Sequence, residues 1–268
     1  MGASAIPPAL RLLTEPLRWR LVGQLATSDR RVAELVAALE TPQSLVSYHL
    51  GRLRSAGLVV ARRSSFDARE TYYHLDLARC ADALAQTGAA IHPALAVADG
   101  PARDGVGTLR PSRLRVRVLF LCTGNSSRSP MAAALLRRHG RPWVHATSAG
   151  SHPRPLHPAV ARVLLEHHGI ELGTHRPTHV DTLATDRFDY VISLCDKVRE
   201  THPPLAGHPV RVHWSVADPA DPADPADAMP GDSGPDAPFR RVAEDLDTRV
   251  RHLLPVLATR PPEKENAP

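Results

Sequence analysis

A cysteine and an arginine six positions apart, bracketing small polar residues, carry the strongest chemical signal in the chain: Cys122-Thr123-Gly124-Asn125-Ser126-Ser127-Arg128-Ser129-Pro130. Successive backbone N–H groups in a loop that opens a helix form a cradle for an anion, and the helix dipole reinforces it. A cysteine at the start of such a cradle is expected to be held as a thiolate, the form that attacks. The planar fork of Arg128 can grip two oxygens of a tetrahedral oxyanion. Ser129 can hydrogen-bond the thiolate, and Asn125 can hold the turn through side-chain bonds to backbone. Thr123, Gly124, Ser126 and Ser127 complete the oxyanion-binding loop. The chemistry implied is attack by Cys122 on a phosphate-like group. The bland alternative, a structural cysteine and a surface arginine spaced so by chance, fits the setting poorly.

That setting is a short apolar run over 116–121, which reads as a strand, followed by a glycine-containing turn and a helical pattern. Further strand-like runs recur at 144–146, 190–194 and 210–214, with helical stretches between them. Strands alternating with helices predict βαβ units and a parallel sheet, and ligands bind such sheets at strand ends. The Ala-Asp-Pro run over 217–228 can be neither helix nor central strand. Before this region, residues 88–112 carry Gly, Pro and Ala without a sustained period and read as a linker. The expected domains are residues 1–90, a linker over 91–113, a second domain over 114–258 and a polar tail over 259–268.

The first domain has a different pattern. Asp29 can cap a helix over 30–39 with Val32, Leu35, Val36 and Leu39 on one face. Thr41-Pro42 then gives an N-cap followed by proline at the first helical position. The next helix carries Val46, Leu50 and Leu53 and stops at Gly57. Two short helices joined by a tight turn are the helix-turn-helix geometry, whose second helix enters the major groove. Its outward positions are read as Gln43, Ser44, Ser47, Tyr48, His49 and Arg52, able to reach base edges or phosphates. Residues 58–61 and 71–75 read as strands around a charged tip with Arg62, Arg63 and Arg69, a wing on the DNA backbone.

Composition sets the bounds. The chain has 268 residues, with Lys+Arg 33 against Asp+Glu 28, and a net charge of +5 that is too small for binding nucleic acid by charge alone. Three separated cysteines, Cys80, Cys122 and Cys195, do not make a secreted disulfide framework, so a reducing cytoplasm is expected. The N-terminus offers no apolar signal segment, and the longest uncharged run, 83–98, is too short and polar to span a bilayer. His167, His168, His202, His208 and His213 lack a ligand constellation, so no metal is assigned.

The stretch Val46-Ser47-Tyr48-His49-Leu50-Gly51-Arg52-Leu53-Arg54-Ser55-Ala56-Gly57-Leu58-Val59 resembles the recognition helix of the winged-helix repressors of the arsenical-resistance (ArsR) family. Leu13-Thr14-Glu15-Pro16-Leu17-Arg18 resembles that family's first-helix signature. The likeness covers about the first 90 residues. It implies a homodimer, paired through its first and last helices, on a palindromic operator in duplex DNA. Many such repressors sense metalloids through paired cysteines. This domain has Cys80 alone, and a lone cysteine on an apolar helix is more often packing than ligand.

The loop at Cys122, with Ser148-Ala149-Gly150 and Asp218-Pro219, resembles the low-molecular-weight tyrosine phosphatases and the arsenate reductases sharing their fold. The resemblance implies a three-layer α/β domain on a four-stranded parallel sheet, behind the mostly helical winged domain. It makes Cys122 the nucleophile, Arg128 the oxyanion ligand and Asp218 the general acid or base. Asp221 and Asp224 repeat the Asp-Pro dipeptide; Asp218 is taken because it follows Trp214 most closely. Tyrosine phosphatases of this fold place aromatics after the Asp-Pro and after the Ser-Ala-Gly stretch. Here Ala220 and Asp221 stand in the first place and Ser151-His152-Pro153-Arg154-Pro155-Leu156-His157-Pro158 in the second. Such a pocket suits a small inorganic oxyanion.

Cys195, in Leu194-Cys195-Asp196-Lys197-Val198-Arg199-Glu200, resembles the second cysteine of thiol-relay arsenate reductases. Two thiols converging on one arsenic adduct can deliver two electrons. Thioredoxin-coupled members carry a third cysteine about seven residues on, where this chain has His202, and Ser127 replaces a further loop cysteine. No cofactor is expected to be bound; turnover needs an external thiol, either mycothiol with its mycoredoxin or thioredoxin. The competing reading of Cys195 is a buried cysteine at a strand end. The reading is thus an arsenate reductase fused to an ArsR-type regulator. Its alternatives are a phosphatase for phosphotyrosine or a small phosphomonoester, and a regulator whose catalytic fold only senses an oxyanion.

Overall fold

The computed structural model describes residues 7–92, 116–202, 210–221 and 234–259. The chain divides into two compact units, Met1–Gly105 and Val106–Pro268. Most of the expected linker, the Asp224 repeat and nearly all of the tail lie outside the described residues. No described helix is long and apolar enough to cross a membrane.

The first unit is helical with a small antiparallel sheet. Its helices are α1 (Pro8–Leu13), α2 (Pro16–Leu25), α3 (Val32–Leu39), α4 (Gln43–Ser55) and α5 (Leu77–Ile91). Strands β1 (Arg30–Arg31), β2 (Val59–Arg63) and β3 (Thr71–Leu75) form a sheet in the order β1-β3-β2. The helical periodicity places Leu21, Leu35, Leu39, Val46, Leu50 and Leu53 in one core, and Tyr72 of β3 is also buried. After α4 the chain turns at Gly57, whose φ of 73° is the left-handed conformation of a helix end. The Leu58 amide closes this cap on the Leu53 carbonyl.

Three local expectations are corrected. Asp29 does not cap α3: Arg30 and Arg31 pair with Tyr73 and Tyr72 as a short strand, and Asp29 is buried near His74. The start of α3 is held instead by Glu34, which accepts from the Arg31 amide at 2.9 Å. Thr41 does not cap α4 either, because its hydroxyl donates back to the Leu39 carbonyl and Pro42 takes the cap position. Both misassignments come from residues with good capping side chains whose oxygens found other partners. Finally, Arg62 and Arg63 are the end of β2 rather than the loop tip, paired with Tyr72 and Thr71.

The second unit is a four-stranded parallel sheet, ordered β5-β4-β6-β7, with helices packed on it. The strands are β4 (Val116–Cys122), β5 (Val144–Gly150), β6 (Tyr190–Ser193) and β7 (Val210–His213). The helices are α6 (Arg128–His139), α7 (Pro158–His168), α8 (Asp196–Thr201) and α9 (Ala237–Thr259). Val118, Leu119, Phe120 and Leu121 of β4 are all buried, as expected for a strand covered on both faces. Strand β5 runs four residues beyond the apolar stretch read from sequence, because pairing with β4 continues through Thr147, Ser148, Ala149 and Gly150. β4 has β5 on one side and β6 on the other. The chain order therefore switches direction at the end of β4, where Cys122 stands.

Candidate active site

The Cys122 loop is built by fastening its carbonyls outward. The Cys122, Thr123, Gly124 and Ser126 carbonyls accept from the amides of Ser151 (3.3 Å), His152 (2.8 Å), Arg154 (2.8 Å) and His157 (3.0 Å). The Asn125 carbonyl accepts from His175 Nε2 at 3.0 Å, and the Ser127 carbonyl from the Met131 amide of α6. A planar trans peptide points its N–H opposite to its C=O. Carbonyls tied to the surrounding chain thus turn the N–H groups of those planes the other way, the arrangement an anion cradle needs.

Asn125 holds the loop from within. It is fully buried at φ 45°, a left-handed conformation that asparagine tolerates. Its Oδ1 accepts from the Thr178 amide at 2.9 Å, and its Nδ2 donates to Ser129 Oγ and Ser148 Oγ, both at 3.0 Å. Ser129 Oγ lies 3.0 Å from Cys122 Sγ and 3.3 Å from the Ala149 carbonyl, with one proton to give. Gly150 must be glycine: an added Cβ would stand 2.6 Å from the Thr123 carbonyl and 2.7 Å from the Asn125 amide.

Arg128 opens α6 with its side chain buried. Its Nη2 donates to Asp218 Oδ2 at 2.7 Å, and its Nη1 to the Val216 carbonyl at 3.1 Å. The Ala220 amide donates to Asp218 Oδ1. Of the two Asp-Pro carboxylates described, Asp218 is the one that meets Arg128, while Asp221 is exposed.

Cys195 lies 2% exposed at the start of α8, with Sγ 3.3 Å from Thr123 Oγ1. Burial pushes its thiol up; Arg128 pulls it down, and Cys122 adds to the rise. The fold therefore brings the second cysteine to the residue that follows the first. His202, the position of the missing third cysteine, ends α8.

In the first unit, Gln43, Ser44, Ser47, Tyr48 and Arg52 are exposed on α4, and Arg63 is exposed on β2. Arg62 is half-buried. His49 is not an outward residue: it is 8% exposed, with Nδ1 3.4 Å from Glu15 Oε2. It follows the buried spacing of Val46, Leu50 and Leu53, and its polarity disguised an inward position. Sequence reasoning missed Thr178 and His175, which reach the loop from some 50 residues away and carry no local signal.

A family profile described as low molecular weight phosphotyrosine protein phosphatase matches residues 117–263. The chain belongs to that family. Within this phosphatase family the chain is similar to the arsenate reductase of Brevibacillus brevis, 30% identical over 135 residues, 50% of this chain and 90% of the relative. It is equally similar to the arsenate reductase of Bacillus subtilis, 30% identical over 137 residues, 51% of this chain and 93% of the relative. Among solved structures it resembles the arsenate reductase of Archaeoglobus fulgidus, at 30% identity and TM-score 0.40, covering 52% of this chain and 98% of that one. The YwlE arginine phosphatase of Geobacillus stearothermophilus matches at 27% identity and TM-score 0.42, covering 54% and 94%. A second family profile, described as bacterial regulatory protein, arsR family, matches residues 15–60. The first unit is an ArsR-family helix-turn-helix domain.

Proposed function

We propose that the second unit is an arsenate reductase. Cys122 attacks arsenate and displaces water, Arg128 and the loop N–H groups bind the oxygens, and Asp218 protonates the leaving oxygen. The Cys195 thiolate then attacks Cys122 Sγ. One S–S bond forms, the S–As bond breaks, and its electron pair leaves with arsenic as arsenite. An external thiol, from mycothiol with its mycoredoxin or from thioredoxin, returns the disulfide to two thiols. The observation that carries this reading is the contact of Cys195 with Thr123 at 3.3 Å, which puts a second thiol at the nucleophile's loop.

The same Cys122, Arg128 and Asp218 suffice for hydrolysis of a phosphomonoester, since water can complete the cycle. That second reading is favoured by nothing at Cys195. Cys195→Ser separates the two. Assayed with several thiol donors, it should lose arsenate reduction while hydrolysing p-nitrophenyl phosphate near the wild-type rate. Unimpaired reduction would remove Cys195 from the mechanism, and no reduction by the wild type with any donor would leave the phosphatase.

The first unit, in this reading, binds an operator as a homodimer and sets expression of the detoxifying activity. The exposed face of α4 supports groove contact. Helix α5 supports the pairing, because none of its residues is buried and Leu84 and Ile91 are each 69% exposed.

A further inference from the structure

A buried polar cluster directly follows the second thiol. Asp196, the first residue of α8, is 0% exposed, and its Oδ1 lies 3.2 Å from Nε2 of His213, itself 1% exposed at the end of β7. The other ring nitrogen, Nδ1, is 3.2 Å from the Ser193 carbonyl and 2.9 Å from Ser193 Oγ. Ser193 and His213 are register partners across β6 and β7. Ser193 Oγ also reaches the Val212 carbonyl at 3.4 Å, and the Ser193 carbonyl accepts from the Trp214 amide at 2.9 Å. One residue on, the Leu194 amide donates to the Leu121 carbonyl of β4, and the Cys195 carbonyl accepts from Arg199.

The order hydroxyl, imidazole, carboxylate is that of a hydrolytic relay. Here, however, the ring and the carboxylate are closed from solvent and Nδ1 faces a main-chain carbonyl, so the set holds rather than reacts. Stability alone does not call for it. An ionisable pair closed from solvent is often no more stabilising than packed hydrophobic side chains of the same volume. What such a pair supplies is a fixed geometry: a carboxylate in one place and a ring that reaches it from one direction. The residue whose geometry is fixed is Cys195, which sits between Ser193 and Asp196, the two ends that His213 holds.

We infer that His213 is a positioning residue for the second thiol. Through Nε2 it anchors Asp196, and through Nδ1 it anchors the end of β6. The turn between them then presents Cys195 Sγ beside Thr123, one residue from Cys122. This rests on the reading of Cys195 as the electron-delivering thiol. It adds that the thiol is useful only because a residue eighteen positions further on holds its turn.

The test reads the approach of the two sulfurs without arsenic. Diamide takes two electrons and two protons from a pair of thiols and leaves a disulfide. The reduced full-length chain is treated with diamide, and the Cys122–Cys195 bond is followed by mass mapping in wild type, His213→Gln, His213→Asn and Asp196→Asn. The Gln amide can occupy the place of Nε2 and keep the bond to Asp196, whereas the shorter Asn can reach only the Ser193 side. Disulfide closure should be near wild type in His213→Gln and slower by on the order of 10- to 100-fold in His213→Asn, as expected for a misplaced reacting group. Asp196→Asn, with the carboxylate replaced at equal volume, should slow closure as well. Protection of Cys122 from alkylation by phosphate should be unchanged in all three, which a general loss of structure would not spare. Equal closure rates in His213→Gln and His213→Asn would overturn the inference, as would wild-type closure in Asp196→Asn. Failure of the arsenate reading shows elsewhere, as arsenite produced by Cys195→Ser, and does not alter the diamide comparison.

Discussion

In the α/β unit, the groups that would touch an oxyanion are buried and tied to one another, whereas in the ArsR-type unit the side chains that would touch DNA stand in solvent. Cys122, Asn125, Ser127, Arg128 and Ser129 are all buried, and the loop carbonyls between Cys122 and Ser127 each have a named donor. On α4, Gln43, Ser44, Ser47, Tyr48 and Arg52 are exposed and supported from beneath by Val46, Leu50 and Leu53. The difference matches the ligands proposed for the two units. A small anion must be surrounded by fixed dipoles that need not reorganise when it arrives. A duplex presents a long surface, so a rigid helix carrying solvent-facing side chains is enough. One unit therefore concentrates its function in a few interlocked residues and the other spreads it.

The contrast can be broken or sharpened by substitution, and the α/β unit should respond most. Arg128→Ala removes the guanidinium from the cradle together with its 2.7 Å ion pair to Asp218. Turnover should fall by on the order of 10²- to 10³-fold or more, the scale of a lost oxyanion donor, and phosphate should cease to protect Cys122 from alkylation. Protection that survives Arg128→Ala would show that the cradle does not need its cation. Gly150→Ala is the next largest effect. Its Cβ would press on backbone atoms of Thr123 and Asn125, which cannot swing aside like a side chain. A stability loss of about 1–3 kcal/mol is expected in thermal or urea unfolding, as for overpacking generally, with weaker oxyanion binding in the fraction that remains folded.

The ArsR-type unit should show the smaller and more local responses. Ser47→Ala, on the exposed face, should leave unfolding unchanged and relax base preference by about 1–3 kcal/mol at one position, read by selection from a random duplex pool. His49→Ala should do the opposite. It opens the core beside Glu15, lowering the unfolding midpoint without shifting base preference. If His49→Ala changes the selected sequence of a stably folded unit, the inward placement of that histidine is wrong.

The two units also differed in how much their sequences disclosed. The cradle was legible because one contiguous motif holds the nucleophile, the cation and the helix start. Asp218 came from the family resemblance, as the Asp-Pro nearest Trp214, and its carboxylate meets Arg128. What stayed hidden was the second layer. Thr178 and His175 fasten the loop from far along the chain, and His213 meets Asp196 only because β6 and β7 pair in one register. In the first unit, the periodicity gave the core, but it could not tell a polar residue facing inward from one facing out. His49 is misread for that reason, since its half-buried partner Glu15 lies on another element, and Asp29 is misread as a cap because it meets His74 of β3.

In the proposed mechanism, Cys122 and Cys195 together supply the two electrons that reduce arsenate. The most direct measurement is a single turnover of the fully reduced, full-length chain with arsenate and no external thiol, with arsenite quantified and the disulfides mapped by mass spectrometry. The expected result is one arsenite released per chain and one disulfide joining Cys122 to Cys195, with Cys80 still a free thiol. Absence of arsenite, or arsenite formed while Cys195 remains a free thiol, would contradict it.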